Sequence, residues 1–157
     1  MKAHIGITDK NLAGISAILT GSLANLMVVY TKTRKFHWNV SGNSFMELHK
    51  LFEDQYEKLE EAIDEVAERI GKLGFKAIGT MKEFIDHATL KEAPGKNPGQ
   101  KEMISELLKD HEAIITATRK NIDECDGKFK DIGTADFLTD LMKEHETIAW
   151  TLRRYLD

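Results

Sequence analysis

His37, His49, Glu53, Asp64 and Glu68 combine imidazole with carboxylate. That donor set suits iron, manganese or zinc without any thiolate. Four of the five lie on one run free of Gly and Pro, residues 43–70. If the run is helical, Glu53 stands about 40° round from His49, Asp64 about 60° and Glu68 about 100°. The same alignment also describes an ordinary solvated face, because Glu57, Glu60, Glu61 and Glu65 crowd the run as well. The metal reading carries a geometric condition. His49 and Glu68 are 19 positions apart, about 28 Å along a straight helix, so one chain cannot bring them to one ion. A second copy, packed antiparallel across a two-fold axis near Lys58 and Leu59, would set His49 and Glu53 of one chain against Asp64 and Glu68 of the other. Such a contact repeats itself, giving two identical sites about 22 Å apart. His37, at the end of the preceding helix, would add a further ligand to the His49 half.

The elements that position these residues follow from periodicity. Four segments lack Gly and Pro (22–41, 43–70, 100–126 and 134–157), each long enough for five or more helical turns. Leu12, Ile15, Ile18, Leu19, Leu23, Leu26 and Met27 recur at steps of three and four, extending the first helix back through Gly14 and Gly21. Thr8 or Asp9 is its N-cap, and the two glycines mark close packing. The second helix carries a stripe from Phe45 to Ile70 that Gly71 and Gly74 close. Asn97-Pro98 reads as cap and first residue of the third long helix, and the fourth starts near Thr134. Between the second and third lies a long connection, about residues 72–97, in which Thr80-Met-Lys-Glu83 is a capping box for a short extra helix. The short connections imply antiparallel pairs. The expected fold is all-α, a four-helix bundle with one long crossover, which is the ferritin-like arrangement among bundles.

Composition limits the alternatives. The chain has 157 residues, 41% hydrophobic and 31% charged, which suits one domain over 1–157 with a core of its own. Two Pro and one Cys exclude a Pro-rich disordered chain, a disulfide framework and a thiolate zinc site. No continuous apolar run approaches the roughly 20 residues of a membrane span, and MKAHIGITDKN has no secretory h-region. A cytoplasmic protein is expected. The formal charge of −4 and the lack of a basic tail argue against nucleic acid as the main ligand. Diiron bundles use Glu-x-x-His on two helices. Three places before His37, His49, His87, His111 and His145 stand Arg34, Met46, Phe84, Leu108 and Met142, so that intrasubunit design is absent from the sequence.

The run FHWNVSGNSFMELHKLFEDQYEKLEEAIDEVAERIGKLG resembles the Dps (mini-ferritin) family. His-Trp-Asn, the His twelve positions later, the carboxylate four after that and Asp-x-x-x-Glu-Arg all match, as do Glu144, His145, Glu146 and Trp150 in the last helix. The resemblance covers nearly the whole chain. It implies a dodecameric hollow shell that oxidises Fe²⁺, preferentially with hydrogen peroxide, at inter-subunit ferroxidase sites of two irons each, and stores Fe³⁺. It assigns His37, His49 and Glu53 to one subunit and Asp64 and Glu68 to its neighbour. Glu53 departs from the Asp of many members, keeping the carboxylate on a longer arm. Trp38 reads as an electron donor beside the iron or as interface packing. Asp131, Asp136 and Asp140 correspond to a three-fold pore, where repeated carboxylates would draw cations inward; helix-dipole matching by Asp136 and solvation of Asp131 are the ordinary alternatives. Many relatives bind DNA through a Lys/Arg-rich tail, so the rival function is a nucleoid-associated DNA-binding protein with incidental metal binding. His111 and His145 read as surface or interhelical hydrogen-bonding residues, and Cys125 as a small, partly buried residue.

Overall fold

The computed structural model describes residues 3–157. Helix α1 spans Asp9–Asn39, α2 Phe45–Lys72, α3 Met81–His87, α4 Gln100–Asp123 and α5 Ile132–Arg154, with a π-helical turn at Glu124–Lys128 leading out of α4. No strand occurs among the described residues. The four long helices form the bundle, and α3 sits on the crossover as the capping box requires. Thr80 Oγ1 accepts from Glu83 N while Glu83 Oε2 accepts from Thr80 N at 2.9 Å.

Thr8 caps α1, its hydroxyl accepting from Asn11 N. Gly74, at φ +89°, ends α2 in a Schellman arrangement: Phe75 N donates to Ile70 O at 3.2 Å and Gly74 N to Gly71 O at 2.9 Å. Gly71 therefore lies inside the last turn instead of closing it. A Cβ on Gly14 would meet the Phe129 ring at 2.4 Å, so that glycine does mark a close approach, whereas Gly21 faces open space.

Two helix starts differ from the sequence reading. Gly99, not Asn97, is the N-cap of α4; the first helical bond runs from Met103 N to Gly99 O, leaving Pro98 outside. Helix α5 begins at Ile132 because Asp131 caps it, accepting from Thr134 N at 3.0 Å. That bond satisfies a donor that Gly133 could not reach with a side chain.

The core runs the length of the bundle, from Leu12, Ile15 and Leu19 through Phe36 and Phe52 to Leu138 and Leu152. Helix α1 is long and apolar enough to cross a membrane, which continuous runs alone did not suggest, but its apolar side forms this core. The crossover is tied to α1: Asn25 Oδ1 accepts from Thr89 N at 2.8 Å and Leu90 N at 3.0 Å, and Lys35 Nζ donates to Ala93 O at 2.8 Å and to Lys96 O. Tyr155 Oη donates to Glu47 at one end of the bundle and Arg69 Nε to Thr134 Oγ1 at the other, so α2 and α5 run antiparallel.

Candidate metal centre

The end of α1 leaves backbone carbonyls without helical partners. Val40 N takes the carbonyl of Phe36, and the next one, His37 O, receives His49 Nδ1 at 2.9 Å. In return His37 Nδ1 donates to His49 O at 2.7 Å. A carbonyl can only accept, so each Nδ1 carries a hydrogen, and in the neutral form of each ring the lone pair is on Nε2. A hydrogen bond from the other ring nitrogen to a carbonyl is the kind of contact that orients metal-binding imidazoles. The rings stack with centroids 3.7 Å apart and planes 20° from parallel. Two side chains from different helices are thus fixed as neighbouring nitrogen donors by the backbone alone.

Glu53 lies one turn beyond His49 and is a third exposed. Lys50 Nζ, 3.1 Å from its carboxyl, hydrogen-bonds and attracts it, holding it below the usual carboxylate range, with smaller contributions from His37 and His49. The group is therefore an anion across the physiological range. Around this half-site stands a frame that the sequence reading did not foresee. Tyr56 presents an edge to His37 at 5.2 Å. The Arg34 guanidinium covers Tyr56 at 4.3 Å, approaches Trp38 at 5.6 Å and donates to Tyr30 Oη at 2.7 Å. Its signal was present: Tyr30, Arg34 and Trp38 stand four apart on α1, one face of a helix. Trp38 itself is 66% exposed.

His37 and His49 come together, with Glu53 near enough to feel both rings electrostatically; Asp64 and Glu68 do not join them. Both are exposed farther along α2, and Glu68 pairs with Lys72 at 3.1 Å. Among the described residues no three His, Cys, Asp or Glu side chains converge as a metal site within the chain. The paired histidines at the α1–α2 junction and the carboxylates of Asp64 and Glu68 farther along α2 stand apart within the chain.

The aspartates near α5 are unlike one another. Asp131 is buried, capping α5 and lying 3.4 Å from Arg69, so it is not simply solvated. Asp136 and Asp140 are exposed, the latter 2.6 Å from Lys143. Cys125 is fully buried, its thiol pushed up to about 11, by burial foremost. His111 and His145 are buried too, and the bond they make is interhelical: Nδ1 to Nδ1 at 2.8 Å.

Comparison with known proteins bears on the family and the fold. Residues 16–157 match the ferritin-like domain family. A low temperature-induced protein of Nostoc sp. is 45% identical over 156 residues, covering 99% of this chain and 87% of its own. The DNA protection during starvation protein of Brevibacillus brevis is 33% identical over 146 residues, 91% of this chain and 95% of its own. Among solved structures, the Dps protein of Vibrio cholerae O1, described as a member of a broad superfamily of ferritin-like diiron-carboxylate proteins, superposes with a TM-score of 0.93 at 29% identity, covering 99% of this chain and 97% of that one. With a bundle and a crossover helix of this kind, and with these relatives, the chain belongs to the Dps family of ferritin-like proteins.

Proposed function

We propose that this protein is an iron-storage and detoxification cage. It oxidises Fe²⁺, preferentially with hydrogen peroxide, at sites shared by two-fold-related copies, and holds the Fe³⁺ product inside a dodecameric shell in the cytoplasm. Membership in the family supports the coarse part, an iron-handling stress protein. The reciprocal lock between His37 and His49 supports the shared site, because it engages both Nδ1 atoms with carbonyls and leaves each Nε2 as the nitrogen open to a metal, with Glu53 held as an anion on the next turn. Asp64 and Glu68 of a second copy complete the set when the α2 helices cross antiparallel near Lys58 and Leu59. Each shared site takes two irons as substrate.

Imidazole suits Fe²⁺, while carboxylate favours the harder Fe³⁺ once it forms. Two Fe²⁺ give one electron each to one peroxide, which takes up two protons and leaves as two waters, so no hydroxyl radical is released. Trp38, exposed beside His37, is the nearest indole for supplying an electron when only one iron is present. Asp136 and Asp140, repeated around a three-fold axis, supply the negative potential for cation entry, with Asp131 fixing the start of their helix.

Anaerobic titration with Fe²⁺ followed by peroxide tests the proposal on the wild type and on His37→Ala/Asp64→Ala. Wild type is expected to bind two irons per site and oxidise them rapidly, and the double variant to do neither. Equal binding and oxidation in both would overturn it.

A further inference from the structure

A second polar cluster lies inside the bundle, away from the iron half-sites. His111 on α4 and His145 on α5 are almost wholly buried and share a 2.8 Å Nδ1–Nδ1 contact, with ring centroids 4.9 Å apart. Two nitrogens at that distance hold one hydrogen between them, so one ring donates from Nδ1 and the other accepts. His111 Nε2 is buried without a protein partner, and so are both amide atoms of Gln55 on α2. Gln55 is 4% exposed. Its level follows from the α2–α5 register: Glu47 bonds Tyr155 and Arg69 bonds Thr134, which sets Gln55 opposite residues 147–148, within a turn of His145.

Buried polar atoms are seldom left unpaired, and three in one layer of an otherwise apolar core call for a cause. An orphaned N–H is rarer than an orphaned acceptor, so His111 is the ring that donates from Nδ1, leaving its Nε2 bare. We propose that the His111–His145–Gln55 layer is a proton-binding switch inside the bundle. The first proton enters at His111 Nε2, where Gln55 can follow it by turning its amide: the NH₂ serves the bare nitrogen and the carbonyl serves the protonated one, directly or through one water. The Nδ1–Nδ1 bond survives that step. A second proton places hydrogen on both Nδ1 atoms, breaks the bond and sets two cations against each other, separating α4 from α5. The pair therefore titrates as a unit in two steps.

The charges around the layer are already matched. Lys32 of α1 pairs with Asp110 of α4 at 2.6 Å. Glu112 of α4 faces Arg153 at 3.6 Å, and Glu146 of α5 bonds Arg119. Glu144 of α5 faces Lys58, with Glu61 and Glu65 beyond, on α2. Among the described residues no carboxylate bonds either ring. Burial accordingly holds His145 down to about 4 and His111 well below the ordinary imidazole value.

Hydrogen exchange at the imidazole C2 position, followed by mass spectrometry across pH 3–8 on the assembled protein, reads each histidine separately. His111 and His145 are expected to share two midpoints, both well below the value of about 6.5 for free imidazole. Gln55→Leu should lower the first midpoint by about one unit, since it removes the acceptor for the charged form. Backbone amide exchange in α4 and α5, corrected for intrinsic rates, should rise at least tenfold below the second midpoint in wild type. It should not rise in His111→Leu/His145→Leu; if that variant fails to fold, Gln55→Leu decides. Midpoints near 6.5, or a first midpoint that Gln55→Leu leaves in place, would overturn the proposal.

Discussion

The molecule contains two histidine pairs, each joining neighbouring helices, and they are built to opposite ends. In the His37–His49 pair the Nδ1 atoms are bonded to backbone carbonyls, so the rings stack and both Nε2 atoms remain available. In the His111–His145 pair the Nδ1 atoms are bonded to each other, and what remains is sealed in the core. A backbone carbonyl fixes a tautomer, and a second imidazole does not. The first arrangement suits the ligand role proposed for it; the second suits a group whose protonation is coupled to the fold.

Acid separates the pairs most strongly. An imidazole in the unfolded chain titrates near 6.5, whereas His145 in the fold titrates at about 4 and His111 is also depressed. Between those values the unfolded state binds more protons. Stability is therefore complete above about pH 6.5 and lost as the pH falls through the window, by about 1.4 kcal/mol per pH unit for His145, with His111 adding to the loss in the same direction. Urea titrations at stepped pH check this, and a flat profile from 6.5 to 4 would contradict it. Next, His111→Ala empties part of the core and strands His145, at a cost of about 3 kcal/mol; chemical denaturation should show that loss while peroxide-driven iron oxidation changes less than about twofold. His49→Ala should do the reverse. Oxidation should slow at least about 100-fold, the upper range for losing even an outer-shell partner of a metal, with the denaturation midpoint little changed. The smallest effect is expected at Lys50→Ala: Lys50 competes with the metal for Glu53, but an exposed pair is a weak competitor, so Fe²⁺ affinity should rise no more than about twofold. Isothermal titration would settle its sign.

Much of this was legible in the sequence and some was not, for identifiable reasons. The long helices, the short helix at Thr80–Glu83 and the crossover follow from periodicity and caps, which are local. The starts of α4 and α5 were misplaced by two residues because capping was read from residue types, while Asp131 also answers to Arg69 from a distant part of the chain. The placement of Glu53 one turn from His49 was legible because helical spacing fixes it. That His37 and His49 would lock one another through carbonyls was not, since a carbonyl freed at a helix end has no residue type to announce it. Nor was Gln55: a glutamine in an acidic run looks solvated until the fold turns it inward.

The ties from Asn25 and Lys35 to the crossover carry a mechanical consequence. The long loop that separates the two helical hairpins in sequence is strapped to the first of them in space. Nicking the chain near Thr89–Lys96 would leave the strap gripping both cut ends, so a protease that finds this stretch should still release a particle that sediments as one body.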